Sequence, residues 1–382
     1  MKIVHICLNG TVTDGFSYQD NLLPKYHKEL GNEVVVIASL YSLDSNAKLI
    51  KLSETSMKYE NEYGITVYRI PNKFNTNDKS KFKRYINFIP ILEQESPDII
   101  FLHDFQLIDS KQVIRYVKKH KDVIIYADNH ADYSNSARNW LSKNVLHKII
   151  WRHYARMLNP YVKKFYGVTP ARVDFLTDLY KLPKNKCELL VMGVDDDIID
   201  SIDIEQVRRI KREAYGLSNQ DFVLITGGKI DHNKPQTIDL MKIVNSLDDD
   251  DIRLLIFGSV EESLKIKFNR ELSERVRYIG WKRSNEIYDE FACADLIIFP
   301  GLHSVLWEQA VGMGIPCLFR KIEGFNHVDL GGNCEFLNNI SEEEIKEKIL
   351  KCKKNIESMK INAQNKKGYF SYREIAKRSI DI

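Results

Sequence analysis

No Cys-x-x-Cys pair occurs in the 382 residues, no Gly-x-Gly-x-x-Gly, and no apolar run approaching the roughly 18 residues of a membrane-spanning helix. The first absence excludes a zinc ribbon or a disulfide framework of that spacing. The six cysteines (Cys7, Cys187, Cys293, Cys317, Cys334, Cys352) are scattered, as buried thiols of a reducing cytoplasm would be. The second absence argues against a nicotinamide dehydrogenase, whose pyrophosphate loop carries that glycine fingerprint. There is also no internal repeat of short period and no low-complexity stretch. Met1–Leu8 reads as a β-strand followed by Asn9-Gly10 rather than as a charged and then apolar leader, so no signal peptide is expected. Excess charge is scarce too: the formal net charge is +3, and no nucleic-acid partner is expected.

What is present is a chain long enough for two domains, with 43% apolar residues. Strand-like and helix-like segments alternate, which is the pattern of parallel sheets. Strands are expected at Lys2–Leu8, Val34–Ala38, Thr66–Ile70, Ile99–Leu102, Val123–Tyr126, Phe165–Val168 and Leu189–Met192. A second series follows at Phe222–Thr226, Arg253–Phe257, Val276–Tyr278, Leu296–Phe299 and Cys317–Phe319. The break falls at Gly193-Val194-Asp195, and the acidic stretch to about Glu205 is expected to be irregular. Ser341–Lys360 reads as a charged helix.

The run from Phe299 to Pro316 carries the most chemistry. A buried strand breaks at Pro300-Gly301 and a helix is expected from about Ser304, so unpaired N–H groups and a positive helix end mark a place for phosphate, with Ser304 and Val305 at the helix entry. Glu308 lies one turn into that helix, where its carboxylate can take two ribose hydroxyls. Gly312 and Gly314 would let the helix end close on the next strand. An ordinary strand-to-helix turn with a solvated Glu308 is the competing reading.

This run resembles the nucleotide-sugar site of the retaining glycosyltransferases of family 4, which have two Rossmann-like doubly wound domains facing across a cleft, the GT-B arrangement. Such a segment carries Glu-x7-Glu. Glu308 matches the second acid, which binds ribose, but Pro300 stands where the first, which binds the donor sugar, belongs; His303 and Ser304 are the nearest substitutes. Further stretches support the likeness. Ile225-Thr226-Gly227-Gly228-Lys229 with Lys234 is similar to the family's Gly-Arg-Leu…Lys diphosphate loop, with Lys229 in place of the arginine, a point charge for a bidentate fork. Val276–Lys282 resembles the stretch ending at the base pocket, which implies that the backbone around Trp281 and Lys282 reads the base edge with Trp281 covering it, packing of Trp281 between domains being the competing reading. Val191-Met192-Gly193-Val194-Asp195 is similar to the interdomain hinge. The Asn9–Asp20 loop, with Gly15, lies where the family puts a donor-phosphate and acceptor loop.

The resemblance implies domains at 1–195 (acceptor) and 196–365 (donor), with a C-terminal helix, 366–382, crossing back to the first. It also implies a histidine after the fifth strand that contacts the donor sugar. His130 takes that role, with Asp128 or Asp132 orienting its ring or the acceptor, while His103 and Asp104, after the fourth strand, are expected to contact the acceptor. His5 and His27 read as core histidines. The Asp195-Asp196-Asp197 run sits in the hinge, so the likeness implies chemistry without a metal or other cofactor.

Charge is unevenly spread. Residues 1–170 hold 24 Lys+Arg against 17 Asp+Glu, and residues 171–382 hold 32 against 36. No acid occurs from Ser134 to Val173. Lys148, Arg152 and Arg156 recur every four residues, giving a basic stripe beside an apolar face of Val145, Ile149 and Ile150 with Trp151 at its edge. Such a helix can lie on anionic lipid at the inner face of the cell membrane, or simply face water. The function expected is transfer of a sugar from a nucleoside diphosphate, with uridine as base, to a glycan or lipid-linked acceptor in surface polysaccharide synthesis. An epimerase or phosphorylase of the same fold, or an inactive nucleotide-binding subunit, remains open.

Overall fold

The computed structural model describes residues 1–44, 48–73, 83–232 and 235–380. The chain divides into two compact units, Met1–Val191 with the segment from Ile375 onward, and Met192–Glu374. Each is a Rossmann-like doubly wound α/β domain.

The first unit is built on β1 (Lys2–Cys7), β2 (Glu33–Ser39), the hairpin β3 (Tyr41–Leu43) and β4 (Leu49–Lys51), then β5 (Met57–Glu60), β6 (Thr66–Ile70), β7 (Ile99–Leu102), β8 (Ile124–Asn129), β9 (Val162–Gly167) and β10 (Cys187–Leu189). Its main sheet has the order β10-β9-β8-β7-β1-β2-β6-β5, parallel throughout except for β5 against β6. The chain winds outward from β1 through β2 and then returns to β7, so the strand order reverses between β1 and β7. In the second unit β11 (Phe222–Ile230), β12 (Ile252–Val260), β13 (Val276–Tyr278), β14 (Leu296–Phe299), β15 (Cys317–Arg320) and β16 (Cys334–Leu337) form a parallel sheet in the order β13-β12-β11-β14-β15-β16. Here the reversal falls between β11 and β14. Crevices at the carboxyl ends of strands beside such reversals are where ligands bind in open α/β sheets.

The central strands are near-continuous runs of Val, Ile, Leu and Phe because both sheet faces are covered, and the fully buried Ile3, Val4, Ile99 and Ile100 in one unit and Leu224, Leu254, Leu296 and Ile298 in the other form those cores. Several boundaries differ from those expected. β8 runs on through Asp128 and Asn129, which pair with Tyr166 and Gly167 of β9, because hydrogen bonds from Gln19 and Gln106, distant in sequence, satisfy polar side chains that a hydropathy pattern reads as a strand end. The acidic stretch after the hinge is helical, at Asp196–Ser201 and Ile204–Ala214. Asp203 caps the second of these by accepting the Gln206 N–H at 3.0 Å. The expected Ser341–Lys360 helix is two helices, Glu342–Lys354 and Ile356–Lys366, broken at Asn355.

The basic segment winds as a π-helix over Ser142–Trp151 and as an α-helix over Arg152–Leu158. The wider winding changes which side chains face inward, and the expected apolar face is corrected: Leu146 and Trp151, five residues apart, are buried, while Ile149 is 62% exposed. Lys148 and Arg156 are exposed, but Arg152 donates its Nε–H to the Leu179 carbonyl at 2.6 Å.

Gly312 serves a different contact from the one expected. A Cβ there would lie 2.5 Å from Val194 Cγ1 and 3.2 Å from Phe370 Cβ, so the missing side chain admits the hinge and the 367–370 turn rather than the following strand. Gly312→Ala is therefore expected to destabilise the second unit by about 1–3 kcal/mol, measured by denaturant unfolding; unchanged stability would mean that Val194 shifts without cost.

Candidate functional site

In the first unit the chemistry gathers at the carboxyl ends of β7 and β8. Asp128 is fully buried, and its two oxygens organise the cluster. Oδ1 accepts the Asp104 N–H at 2.6 Å, and Oδ2 accepts from Gln19 Nε2 at 2.9 Å and lies 3.0 Å from His103 Nδ1. Asp104 has φ +50, a conformation uncommon outside glycine, and its Oδ1 accepts the His130 N–H at 2.9 Å. His130 Nε2 stands 3.7 Å from Asp128 Oδ1 with 27% of the side chain exposed. Burial works to raise the Asp128 carboxyl, but His103 and His130 overturn it and hold Asp128 well below the usual range. Burial works to strip the proton from His130, and Asp104 and Asp128 overcome this and raise it. Asp104 itself is raised, chiefly by burial.

His130 and Asp104 line a cavity of about 330 Å³ with Asn9, Gln106, Asn135, His147 and Trp151 on its other sides. The cavity mixes these polar groups with Ala131, Leu146 and Trp151 and is within the size range of small-molecule sites, and His147 is fixed in it by Tyr180 Oη at 2.7 Å and Ser136 Oγ at 2.9 Å.

Two expected acceptor contacts are corrected here. His103 is only 3% exposed and sits behind Asp20 and Asp128, so it offers no surface to an acceptor. Asp132 is 1% exposed; its Oδ1 accepts the N–H groups of Ser134 and Asn135 and its Oδ2 pairs with Arg172 Nε at 3.1 Å, so it shapes the loop after β8. Gly15 has φ +78 and donates its N–H to Glu62 Oε1 at 2.6 Å. His5 and His27 are core residues as expected, but histidine neighbours bond them, with backbone contributing only at His27.

In the second unit the corresponding place lies beside β11 and β14. The Gly227-Gly228-Lys229 stretch is the end of β11, in register with Phe257, Gly258 and Ser259 of β12, rather than a loop. Gly228 has φ +108 and Gly258 φ +117, and a Cβ on Gly258 would lie 1.9 Å from the Gly228 carbonyl oxygen, so the two backbones meet where no side chain fits. Lys229 is 69% exposed at the side chain, its Nζ 3.1 Å from Asp231 Oδ2. Lys234 lies outside the described residues.

After β14 the helix spans Leu306–Gly312, starting two residues later than expected. Its N-cap Val305 supplies no side-chain bond, and the Ser304 carbonyl accepts the Trp307 N–H. Glu308 is fully buried, which rules out a solvated surface glutamate. Its Oε1 accepts from His303 Nε2 and from His327 Nε2, both at 2.7 Å, whereas Oε2 is buried with no hydrogen-bond partner among the described residues. Burial works to raise this carboxyl; His303 and then His327 overturn it and hold Glu308 well below the usual range. An ionised, buried oxygen without a donor is rare in native proteins.

His327, in the turn between β15 and β16, is the functional candidate that sequence reasoning missed; only the fold brings it to Glu308, since no regular spacing links them. Trp281 is 52% exposed and free to cover a base. The Lys282 side chain pairs at 2.9 Å with Glu290, a buried acid also held by Lys211 and Tyr215. Among the described residues two groups, Cys7–Asp20–His103 and His303–Glu308–His327, bring potential metal-ligating atoms within 4.8 Å of one another. In both, imidazole-to-carboxylate contacts of 2.7–3.0 Å account for the approach without an ion.

No protein-family model matches the chain, and no curated protein does. Solved structures do. A glycosyltransferase from Rickettsia africae superposes with a TM-score of 0.64 at 16% identity, covering 99% of this chain and 96% of that one. The HepE protein of Anabaena in complex with UDP gives 0.67 at 16%, covering 99% and 98%. A UDP-GlcNAc 2-epimerase from Neisseria meningitidis bound to UDP-GlcNAc gives 0.62 at 12%, again covering 99% and 98%. At such identities the likeness establishes the fold, the two-domain GT-B architecture, over essentially the whole chain.

Proposed function

We propose that the chain is a glycosyltransferase that moves a sugar, with retention of configuration, from a uridine diphosphate donor to a lipid-linked or glycan acceptor in surface polysaccharide synthesis. The observation that carries the reading is the buried, ionised Oε2 of Glu308 left without a donor beside the β11–β14 reversal, a position suited to ribose hydroxyls. UDP in the HepE structure and UDP-GlcNAc in the epimerase structure support a uridine nucleotide as ligand.

In this reading Glu308, fixed by His303 and His327, takes the ribose. Trp281 covers the base, and the glycine-lined end of β11 lets the diphosphate approach backbone. Lys229 and Lys234 offset the charge that grows on the leaving diphosphate, the interaction that strengthens in the transition state. This electrostatic work needs no metal. His130, held by Asp104 and Asp128, contacts the donor sugar and the 330 Å³ cavity beside it receives the acceptor. Product analysis tests the proposal: incubation with UDP-sugars and lipid-linked glycans should yield a longer glycan with retained anomeric configuration. Free sugar of altered configuration with no transfer would instead support an epimerase, a reading favoured by the likeness to the Neisseria enzyme over 98% of its length. Nucleotide binding with neither product would mark an inactive subunit, for which Pro300 in place of an acid speaks.

The proposal includes a cytoplasmic, peripheral membrane location. Among the described residues no helix is long and apolar enough to cross a membrane. The acid-free segment exposes Trp140 (73%), Leu141 (64%) and Ile149 along with Lys143, Lys148 and Arg156, an aromatic and aliphatic set beside cations that suits an anionic bilayer surface. Lys148→Glu with Arg156→Glu is expected to weaken binding to anionic vesicles at low salt by at least about 2 kcal/mol, at about 1 kcal/mol per lost cation, with no change in unfolding. Co-flotation measures it; a double variant that still floats with the vesicles would leave this segment facing water.

A further inference from the structure

Three buried imidazoles stand in line between the Asp20–Asp128 carboxylates and the C-terminal helix, all inside the first unit. His103 Nε2 is 2.9 Å from His5 Nδ1, His5 Nε2 is 3.0 Å from His27 Nδ1, and His27 Nε2 is 2.8 Å from Ser379 Oγ. None of the four residues is more than 3% exposed.

The two ends of this chain fix where the protons sit. Ser379 Oγ donates its hydrogen to the Ala376 carbonyl at 2.9 Å, so toward His27 it accepts, and His27 carries its proton on Nε2. His27 Nδ1 is then an acceptor, which makes His5 donate from Nε2 and accept at Nδ1, and this in turn requires a proton on His103 Nε2. At the opposite end His103 Nδ1 lies 3.0 Å from Asp20 Oδ1 and 3.0 Å from Asp128 Oδ2, aligned for a hydrogen bond with neither but between two carboxylates, a place that suits an N–H and not a lone pair. Followed from both ends, the pattern gives His103 two protons and His5 and His27 one each.

We infer that His5, His27 and Ser379 are positioning residues: the docked C-terminal helix sets the direction of a buried histidine relay, and the relay keeps His103 a cation that pins Asp20 and Asp128 beneath His130. The groups facing His103 are Cys7 and His5 from β1, Asp20 from the helix Gln19–Glu29 and Asp128 from β8, with Asp104 and His130 beyond Asp128. Burial opposes the His103 charge. Of the groups that favour it, the Cys7 thiol is itself pushed up to about 11 by burial and is neutral near pH 7, so the two carboxylates hold the imidazolium well above its ordinary range. Burial lowers His5 and brings His27 down to about 3, in keeping with their neutral state in the relay. Were His103 to lose its Nε2 proton, every bond of the chain would have to reverse, and Ser379 would have to release Ala376 to donate toward His27. The charge at the acceptor wall is thereby linked to how the last helix is seated.

The role in sugar transfer rests on the function proposed above; the protonation pattern does not. Spectra of the full chain with nitrogen-labelled histidine should show His103 protonated on both ring nitrogens across neutral pH, and His5 and His27 neutral with the proton on Nε2. A neutral His103, or a His27 protonated on Nδ1, overturns the inference whether or not any sugar is transferred. His27→Leu removes the acceptor for His5 and should let His103 lose its Nε2 proton, moving the alkaline limb of the transfer profile to lower pH by about one unit. His27→Gln should restore the parent profile, because its Oε1 can accept from His5 while its Nε2 donates to Ser379. If His27→Leu folds and keeps both His103 protons and the parent profile, the histidines are packing only and the relay is refuted. If it does not fold, the parent spectra and the His27→Gln profile still decide.

Discussion

Glu308→Ala should abolish measurable nucleotide binding and at the same time lower the stability of the second unit by about 3–5 kcal/mol. The carboxylate is fully buried between two imidazoles, and removing one partner from a buried, hydrogen-bonded charge cluster strands the others. Denaturant unfolding reads the stability change and calorimetry with UDP the binding. Glu308→Gln separates the two effects: the amide fills the same space but removes the charge, so stability should recover in part while UDP affinity stays at least about 1–3 kcal/mol below the parent. Parent-like affinity in Glu308→Gln would move the ribose off this helix. A pH series gives a further check. A carboxyl whose folded value is depressed adds stability that is fully present above its unfolded value of about 4.3 and is lost as the pH falls through and below it. The second unit should therefore lose stability toward acid, and Glu308→Gln should flatten that dependence.

His130→Ala should leave UDP affinity near the parent value and cut sugar transfer by about 10²–10⁴-fold, the range for loss of a positioned acid–base or polar group at a reacting centre. The His130 backbone is held by its N–H bond to the Asp104 carboxylate and the ring Nε2 faces Asp128 at 3.7 Å, while more than a quarter of the side chain remains exposed beside the cavity. Steady-state kinetics with donor and acceptor varied separately tests this. A parent rate in His130→Ala would take the catalytic wall away from β8. His103→Ala is not a matching surface probe, since the ring is buried and joined to Asp20, Asp128 and His5; its first effect should be on stability of the first unit.

How legible was this molecule before its coordinates? The two βα series could be read because buried parallel strands are continuous apolar runs, as in Leu296–Phe299 and Ile99–Leu102. The run ending in Glu308 was readable because the break at Pro300-Gly301 is a local signal. What escaped were properties set by distant partners. Asp128 and Asn129 read as a strand end because their compensation comes from Gln19, His103, Gln106 and Arg172. His327 gave no signal because the β15–β16 turn carries it to Glu308. Lys229 looked like a loop cation although β12 extends the pairing through it. The cations of the basic helix recur every four residues, a period that its π-winding does not keep. Asp203 before Gln206 was a legible cap that went unread.

The segment from Ile375 to Ser379 belongs to the first unit although the whole second unit precedes it in the chain. During synthesis the order of completion is therefore inverted. The second unit has all its residues once Glu374 is made, whereas the first, begun earlier, must wait through the 183 residues from Met192 to Glu374 for its last helix. At translation speeds of about 5–20 residues per second that interval is on the order of 10–40 s. Throughout it, His27 lacks Ser379 and Ala376. A released chain ending at Glu374 should then show a protease-resistant second unit beside a first unit that is still labile.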